Sequence, residues 1–219
     1  MADNLVSTVE ADAGFIVSVD LPWNRLAGAR IAVTGAGGFL GHYLVRTLLA
    51  LGVSGRADPP AQVIAMVRNL DAAHMAFGDV SADAPLDLVR WDLSMLGVPD
   101  IEPPDYVIHA ASQASPRYYG TDPVGTFLPN VVGTEALLRW MQKGPAPRGF
   151  LFISSSEVYG ATHSQASLAE RDYGTLDPAQ VRSCYAEGKR AGETLCVSWH
   201  AQFGLPTFIV RPFHTYGPG

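Results

Sequence analysis

The sequence predicts an α/β fold, a doubly wound parallel sheet with helices on both faces. Three observations carry that prediction: a series of short, nearly continuous apolar runs, segments of helical period between them, and a glycine cluster directly after the first run. Strands that are apolar on both faces and alternate with helices pair in parallel and are covered twice.

Residues 1–28 form an acidic N-terminal extension, whose Phe15, Ile16, Leu21, Pro22 and Trp23 are expected to pack on the domain that follows. Residues 29–219 form that domain, since 219 residues suit one α/β unit better than two. Arg30–Thr34 reads as the first strand, and Phe39–Leu51, with Leu40, Leu44, Leu48 and Leu51 at helical spacing, as the first helix after it. Val63–Val67 and Leu86–Arg90 are the second and third strands. Tyr106–Ala110 and Phe150–Ser154 are the fourth and fifth, with a helix over Val124–Lys143 between them; Tyr185–Phe203 is a further helix and Pro206–Arg211 the last strand.

Composition excludes several classes. The formal charge is −6 and the 15 basic residues form no cluster, so a nucleic-acid partner bound through its phosphates is not expected. No apolar run approaches the roughly 18 residues of a membrane span, and Met1–Glu10 has neither a basic nor an apolar leader segment. A soluble cytoplasmic protein is therefore expected, with Cys184 and Cys196 as reduced thiols. His42, His74, His109, His163, His200 and His214 show no metal-ligand spacing, so no metal site is expected.

Thr34–Gly41 reads TGAGGFLG, with Gly35, Gly38 and Gly41 three apart between a strand and a helix. Glycine permits the tight turn, lets the main chain approach a diphosphate and lets the helix pack on the strand, while the helix N-terminus offers free N–H donors. This is the signature of a Rossmann-type dinucleotide site. The residue after the second strand, which meets the adenosine ribose in such sites, is Arg68, a side chain that suits NADP; Asp92 is placed to accept from the adenine amino group or to cap a helix.

Tyr185 and Lys189 are four apart and share one helix face. An ammonium beside a phenol favours the phenolate, so the phenol is expected to titrate low enough to act as a base. Ser154, Ser155 and Ser156 at a strand end add hydroxyls to a proton relay. Tyrosine, lysine and serine beside a nicotinamide suit hydride transfer from a carbinol carbon.

With TGAGGFLG, HAASQASP, SSSEVYG, RSCYAEGKRAGETL and RPFHTYGP in this order, the chain resembles the extended short-chain dehydrogenase/reductases, the NAD-dependent epimerase/dehydratase family, most closely their UDP-glucuronate decarboxylases. The resemblance runs from Leu26 to Gly219. It implies a bound NAD or NADP used for transient oxidation of a nucleotide sugar, UDP-linked in the decarboxylases, at C4. It further implies Ser155, Glu157, Tyr185 and Lys189 as catalytic residues. The implied cofactor contacts are Gly35, Gly38, Phe39, Leu40, Gly41, Arg68, Asp92, Leu93, Ala110, Ala111, Ser112, Tyr185, Lys189 and Pro212, and the implied substrate contacts are Ser115, Arg117, Ser156 and His214.

Two positions depart from the decarboxylases: Arg68 stands where they have an acid and His214 where they have an asparagine. Ser156 fills the slot that holds an aspartic acid in 4,6-dehydratases, which disfavours dehydration; 4-epimerisation, needing only serine, tyrosine and lysine, stays open. A plain reductase of small carbonyl compounds would leave Glu157 without a role. A non-catalytic dinucleotide sensor or scaffold is the alternative from another class. The resemblance also implies a homodimer through the helix carrying Leu137, Leu138, Trp140 and Met141, although packing within the monomer explains the same residues. In this family the segments after RPFHTYGP complete the sugar site in a C-terminal substrate domain, so the 219-residue chain is expected to lack most of that domain, and to bind dinucleotide while turning over nucleotide sugar poorly.

Overall fold

A computed structural model describes residues 2–93, 97–162 and 167–218, with residues 2–7 in backbone only; His163 and Gly219 lie outside the described residues. Six strands form one parallel sheet: β1 (Arg30–Thr34), β2 (Gln62–Val67), β3 (Leu86–Arg90), β4 (Tyr106–His109), β5 (Gly149–Ile153) and β6 (Thr207–Val210). Their spatial order is β3-β2-β1-β4-β5-β6. In register, Ala32 lies between Ile64 and Val107, and Ile108 beside Leu151. The chain thus winds outward from β1 in one direction, then from β4 in the other. This is the Rossmann topology the sequence predicts, with the switch point between β1 and β4.

Because successive side chains alternate faces, each strand feeds two cores. On one face Ile64, Met66, Val107, Phe150 and Phe152 pack against Leu137, Leu138 and Met141 of α6 (Thr134–Gln142) and Trp199 of α7 (Cys184–Phe203). On the other, Ile31, Val33, Val63 and Ala65 pack against Val45, Leu48 and Leu51 of α2 (Phe39–Ser54). Among the described residues, the second face is covered over only half the sheet. Across β5 and β6, Leu151 and Ile153 are half-buried and Phe208 and Val210 exposed.

The N-terminal extension is a helix, α1 (Ala2–Ser18), lying along α2. Its buried stripe is Val9, Ala13 and Val17, four residues apart as a helix face requires. Of the side chains expected to pack, Trp23 and Ile16 are half-buried, whereas Phe15, Leu21 and Pro22 face solvent. Two short helices escape the sequence reading: α3 (Leu70–Ala76), started by Asn69 accepting from the Ala72 amide at 3.0 Å, and α4 (Pro116–Thr121). The expected helix over 124–143 is instead α5 (Pro123–Leu128), a π turn at Pro129–Gly133, and α6. Pro129 brings no N–H to the ladder, and Asn130 Nδ2 donates to the Thr126 carbonyl at 2.8 Å while Thr134 Oγ1 donates to that of Asn130 at 2.7 Å.

Candidate active site

The turn from β1 into α2 needs its glycines. Gly35 has φ +67°, and a Cβ there would sit 2.7 Å from Ala111 Cα; a Cβ at Gly41 would sit 2.1 Å from the Gly35 carbonyl oxygen. Gly38 precedes α2 in extended conformation and provides no side-chain cap, so the N–H groups of the first turn are left for another acceptor. The ring of Phe39 meets Tyr43 edge to face and lies beside Gly217.

A cleft of about 730 Å³ opens at the switch point. Its lining includes Gly35, Gly38, Arg68, Asp92, Leu93, Ala110, Ala111 and Ser112, all expected from the sequence, together with Gln113, Asp122 and Leu128. Of the other expected cofactor contacts, Phe39, Leu40, Gly41, Tyr185, Lys189 and Pro212 are not part of that lining; Pro212 accepts from the Ser156 amide at 3.0 Å. Ser112 Oγ and Gln113 Oε1 are buried in the wall with no hydrogen-bond partner. Buried polar atoms of that kind require a partner, so the wall has the form of a site for a polar ligand. A turn open to phosphate and orphaned polar groups facing a cleft at the crossover fit a dinucleotide.

Beyond the cleft, β5 ends at Ile153 and the chain runs through Ser154 and Ser155 into a 3-10 turn, Ser156–Tyr159, which packs on α7. The Ser155 hydroxyl is near enough to the Tyr185 phenol to lower its pKa, and it accepts from the Glu157 amide at 3.2 Å. Tyr119 of α4 lies flat against Tyr185, and its hydroxyl donates to the Ala114 carbonyl at 2.9 Å. The loop after β4 therefore belongs to both regions: Ser112 and Gln113 line the cleft and Tyr119 backs the tyrosine.

Lys189 departs from expectation. It is buried, with Nζ donating to the Ile153 carbonyl at 2.7 Å and standing 5.8 Å from the centre of the Tyr185 ring. Burial drives its pKa down to about 7, opposed by the field of Glu193. The phenol of Tyr185 is raised rather than lowered: burial raises it most, the Ser155 hydrogen bond lowers it and Glu157 raises it. The expected lowering by Lys189 fails because desolvation weakens the lysine's own charge and its ammonium is held by a carbonyl.

Below the site Glu193 accepts from Ser154 Oγ at 2.5 Å and from Arg211 Nε and Nη2 at 2.8 and 2.6 Å, tying α7 to the ends of β5 and β6. At its mouth Arg182 holds Glu157 through two hydrogen bonds and covers the Tyr119 ring. None of Tyr119, Arg182, Glu193 and Arg211 was singled out from the sequence as a site residue; only the offset of Glu193 from Lys189 by one helical turn was readable there. The expected substrate contacts are more scattered. Ser115 precedes α4 and is exposed, Arg117 stacks on Tyr118 at 4.5 Å, and His214 is exposed; Ser156 alone adjoins the cluster.

His109 is a core residue, hydrogen-bonded to Thr34 Oγ1 at 2.8 Å and near the Pro129 carbonyl at 3.3 Å, and burial pulls its pKa down to about 3. Leu137, Leu138, Trp140 and Met141 are buried inside the monomer, which leaves them no part in an interface. Both cysteines are free thiols. Among the described residues, no group of three or more His, Cys, Asp or Glu could hold a metal, and no helix is long and apolar enough to cross a membrane.

A family model described as the NAD dependent epimerase/dehydratase family matches residues 31–219. The chain belongs to that family. Among curated epimerase/dehydratase relatives, it is 36% identical over 191 residues to UDP-glucuronic acid decarboxylase 1 of Arabidopsis thaliana, covering 86% of this chain and 40% of the relative. It is 35% identical to UDP-glucuronic acid decarboxylase 6 of the same plant, covering 86% and 51%. The chain thus spans about half the length of these relatives or less. Among solved structures, DesIV, a dTDP-glucose 4,6-dehydratase of Streptomyces venezuelae with NAD and TYD bound, matches with a TM-score of 0.71 at 27% identity. A UDP-glucuronic acid 4-epimerase of Bacillus cereus, in complex with UDP-glucuronic acid and NAD, matches with 0.66 at 25%; each match covers 86% of this chain and 57% of the other.

Proposed function

We propose that this chain is the dinucleotide-binding, proton-handling part of an NAD-dependent enzyme that oxidises a nucleotide sugar at C4, with decarboxylation of UDP-glucuronate as the leading reaction. The observation that carries the proposal is the approach of Ser155 to Tyr185, with Lys189 one helical turn along α7, on the same side of the fold as a cleft at the switch point walled by the loop before Tyr119. The glycine turn and the first turn of α2 would hold the diphosphate. Arg68 and Asp92, both in the cleft wall, would meet the adenosine, and the NAD bound in the similar solved structures supports NAD over the NADP that Arg68 by itself suggests.

NAD, when bound, supplies a hydride acceptor that later returns the hydride. Ser155 would hold the sugar oxygen, and Tyr185 would take the hydroxyl proton as the C4–H bond breaks, the positive charge of bound NAD offsetting the burial that holds the phenol protonated without it. Oxidation at C4 of a glucuronate places a ketone β to the carboxylate. The C5–C6 bond can then break, carbon dioxide leaves, and the electron pair is held as an enolate until C5 is protonated. Ser156, with its amide on the Pro212 carbonyl, is too weak an acid to protonate a departing C6 hydroxyl, which disfavours dehydration.

A second reading, 4-epimerisation, draws on one observation: Glu157 is engaged by Arg182, and epimerisation needs no acid at that position. A homodimer remains part of the proposal, with an interface outside the buried side of α6. Incubating the full-length protein with NAD and UDP-glucuronate and weighing the products decides the matter. Loss of the mass of carbon dioxide supports decarboxylation and a product of unchanged mass epimerisation. Failure to bind NAD at all overturns the enzymatic reading.

A further inference from the structure

Arg182 grips the carboxylate of Glu157 with both terminal nitrogens, Nη1 donating to Oε2 at 2.9 Å and Nη2 to Oε1 at 3.1 Å. Its guanidinium lies over the Tyr119 ring, 4.6 Å from the centre, and Tyr119 lies on Tyr185. A flat guanidinium backed by an aromatic face, with two N–H groups along one edge, is a receptor for one planar, two-oxygen anion. It is also the outer member of the pair: its side chain is 56% exposed against 31% for Glu157.

The neighbouring cations are committed elsewhere. Lys189 is buried and donates to the Ile153 carbonyl, Arg190 donates to the carbonyls of Val158 and Gly174, and Arg211 is paired with Glu193. An anion arriving from solvent beside Tyr185 therefore meets Arg182.

We propose that Arg182 selects carboxylate-bearing sugars by exchanging the carboxylate of Glu157 for that of the ligand. This selection presupposes the nucleotide-sugar reading above. The guanidinium keeps one carboxylate throughout, so the exchange does not strand its charge. Glu157, once displaced, is free to accept a hydrogen bond from a sugar hydroxyl. A neutral hexose offers Arg182 nothing in return, and Glu157 stays paired. A half-exposed ion pair contributes little to folding, so variants at Arg182 should fold.

The test compares the affinities of UDP-glucuronate and UDP-glucose for the NAD-loaded full-length protein by calorimetry, in wild type, Arg182→Gln and Arg182→Lys. Wild type should prefer the glucuronate, and Arg182→Gln should lose about tenfold or more of that affinity while holding UDP-glucose as before. Arg182→Lys, which keeps the charge but not the paired donors, should fall between them. An unchanged NAD affinity confirms that each variant is folded. Equal weakening toward both sugars, or a wild type without preference, overturns selection by Arg182 and leaves the nucleotide-sugar reading standing. A wild type that binds neither sugar overturns both.

Discussion

Tyr119 and Tyr185 lie stacked, ring centres 5.1 Å apart and planes 13° from parallel. Their hydroxyls differ in use: that of Tyr119 is spent on the Ala114 carbonyl, and that of Tyr185 meets Ser155. Tyr119→Phe should therefore cost about 1 kcal/mol of stability and leave turnover within a few-fold. Tyr185→Phe keeps the stack yet should slow hydride transfer by roughly a hundredfold or more, with NAD affinity nearly unchanged. Absorbance of reduced nicotinamide reads the rate; an unaltered rate in Tyr185→Phe refutes its role as the base.

Gly41→Ala should disable the phosphate turn. Its new methyl would fall 2.1 Å from the Gly35 carbonyl, a backbone atom that cannot swing aside, so β1 and α2 must separate. The expected cost is about 1–3 kcal/mol in thermal or denaturant unfolding, with NAD binding abolished in calorimetry. Gly14→Ala, whose added Cβ meets open space in α1, should be neutral or slightly stabilising and leave NAD binding intact.

The pH dependence of stability should carry the mark of Lys189. Its folded pKa, about 7, lies below the ordinary 10.5, so from pH 7 to about 10.5 the unfolded chain binds more protons and stability rises with pH. Lys189→Met removes that group. Its melting temperature relative to wild type should be most favourable near pH 6 and decline towards pH 9, while the lost hydrogen bond to Ile153 subtracts equally at both. Parallel melting curves for the two proteins across that range would remove Lys189 as the source.

Glu193 and Arg211, with side chains only 12% and 16% exposed, join the ends of two strands to α7. Arg211→Met leaves a carboxylate in the interior with Ser154 as its remaining hydrogen-bond partner among the described contacts, and should cost about 3–5 kcal/mol in denaturant unfolding. Pairing it with Glu193→Leu should recover most of that loss, because the buried charge is gone. If the double variant is as unstable as the single one, the cost lies in packing.

All six strands were legible in the sequence, because even those buried on one face only keep short, mainly apolar runs such as VIAMV, FLFI or TFIV. The glycine turn was legible for a local reason too: Gly35, Gly38 and Gly41 act within one strand-to-helix connection. What escaped depends on distance along the chain. Arg182 and Glu157 are 25 positions apart and Ser154 and Glu193 39, so no periodicity announces either contact. Tyr119 sits on a six-residue helix too short to display a face. Lys189 was placed on the right helix face beside Tyr185, but depth decides its charge, and depth is a property of the assembled sheet.

The bare side of β6 has a practical corollary. Phe208 and Val210 present hydrocarbon next to a row of main-chain amides and carbonyls that no strand among the described residues satisfies. An open border of that kind is a template on which another polypeptide can extend the sheet. Concentrated samples should therefore drift toward precipitation with time and warmth, and a lysine at position 208, repelling such additions, should keep the material clear for longer.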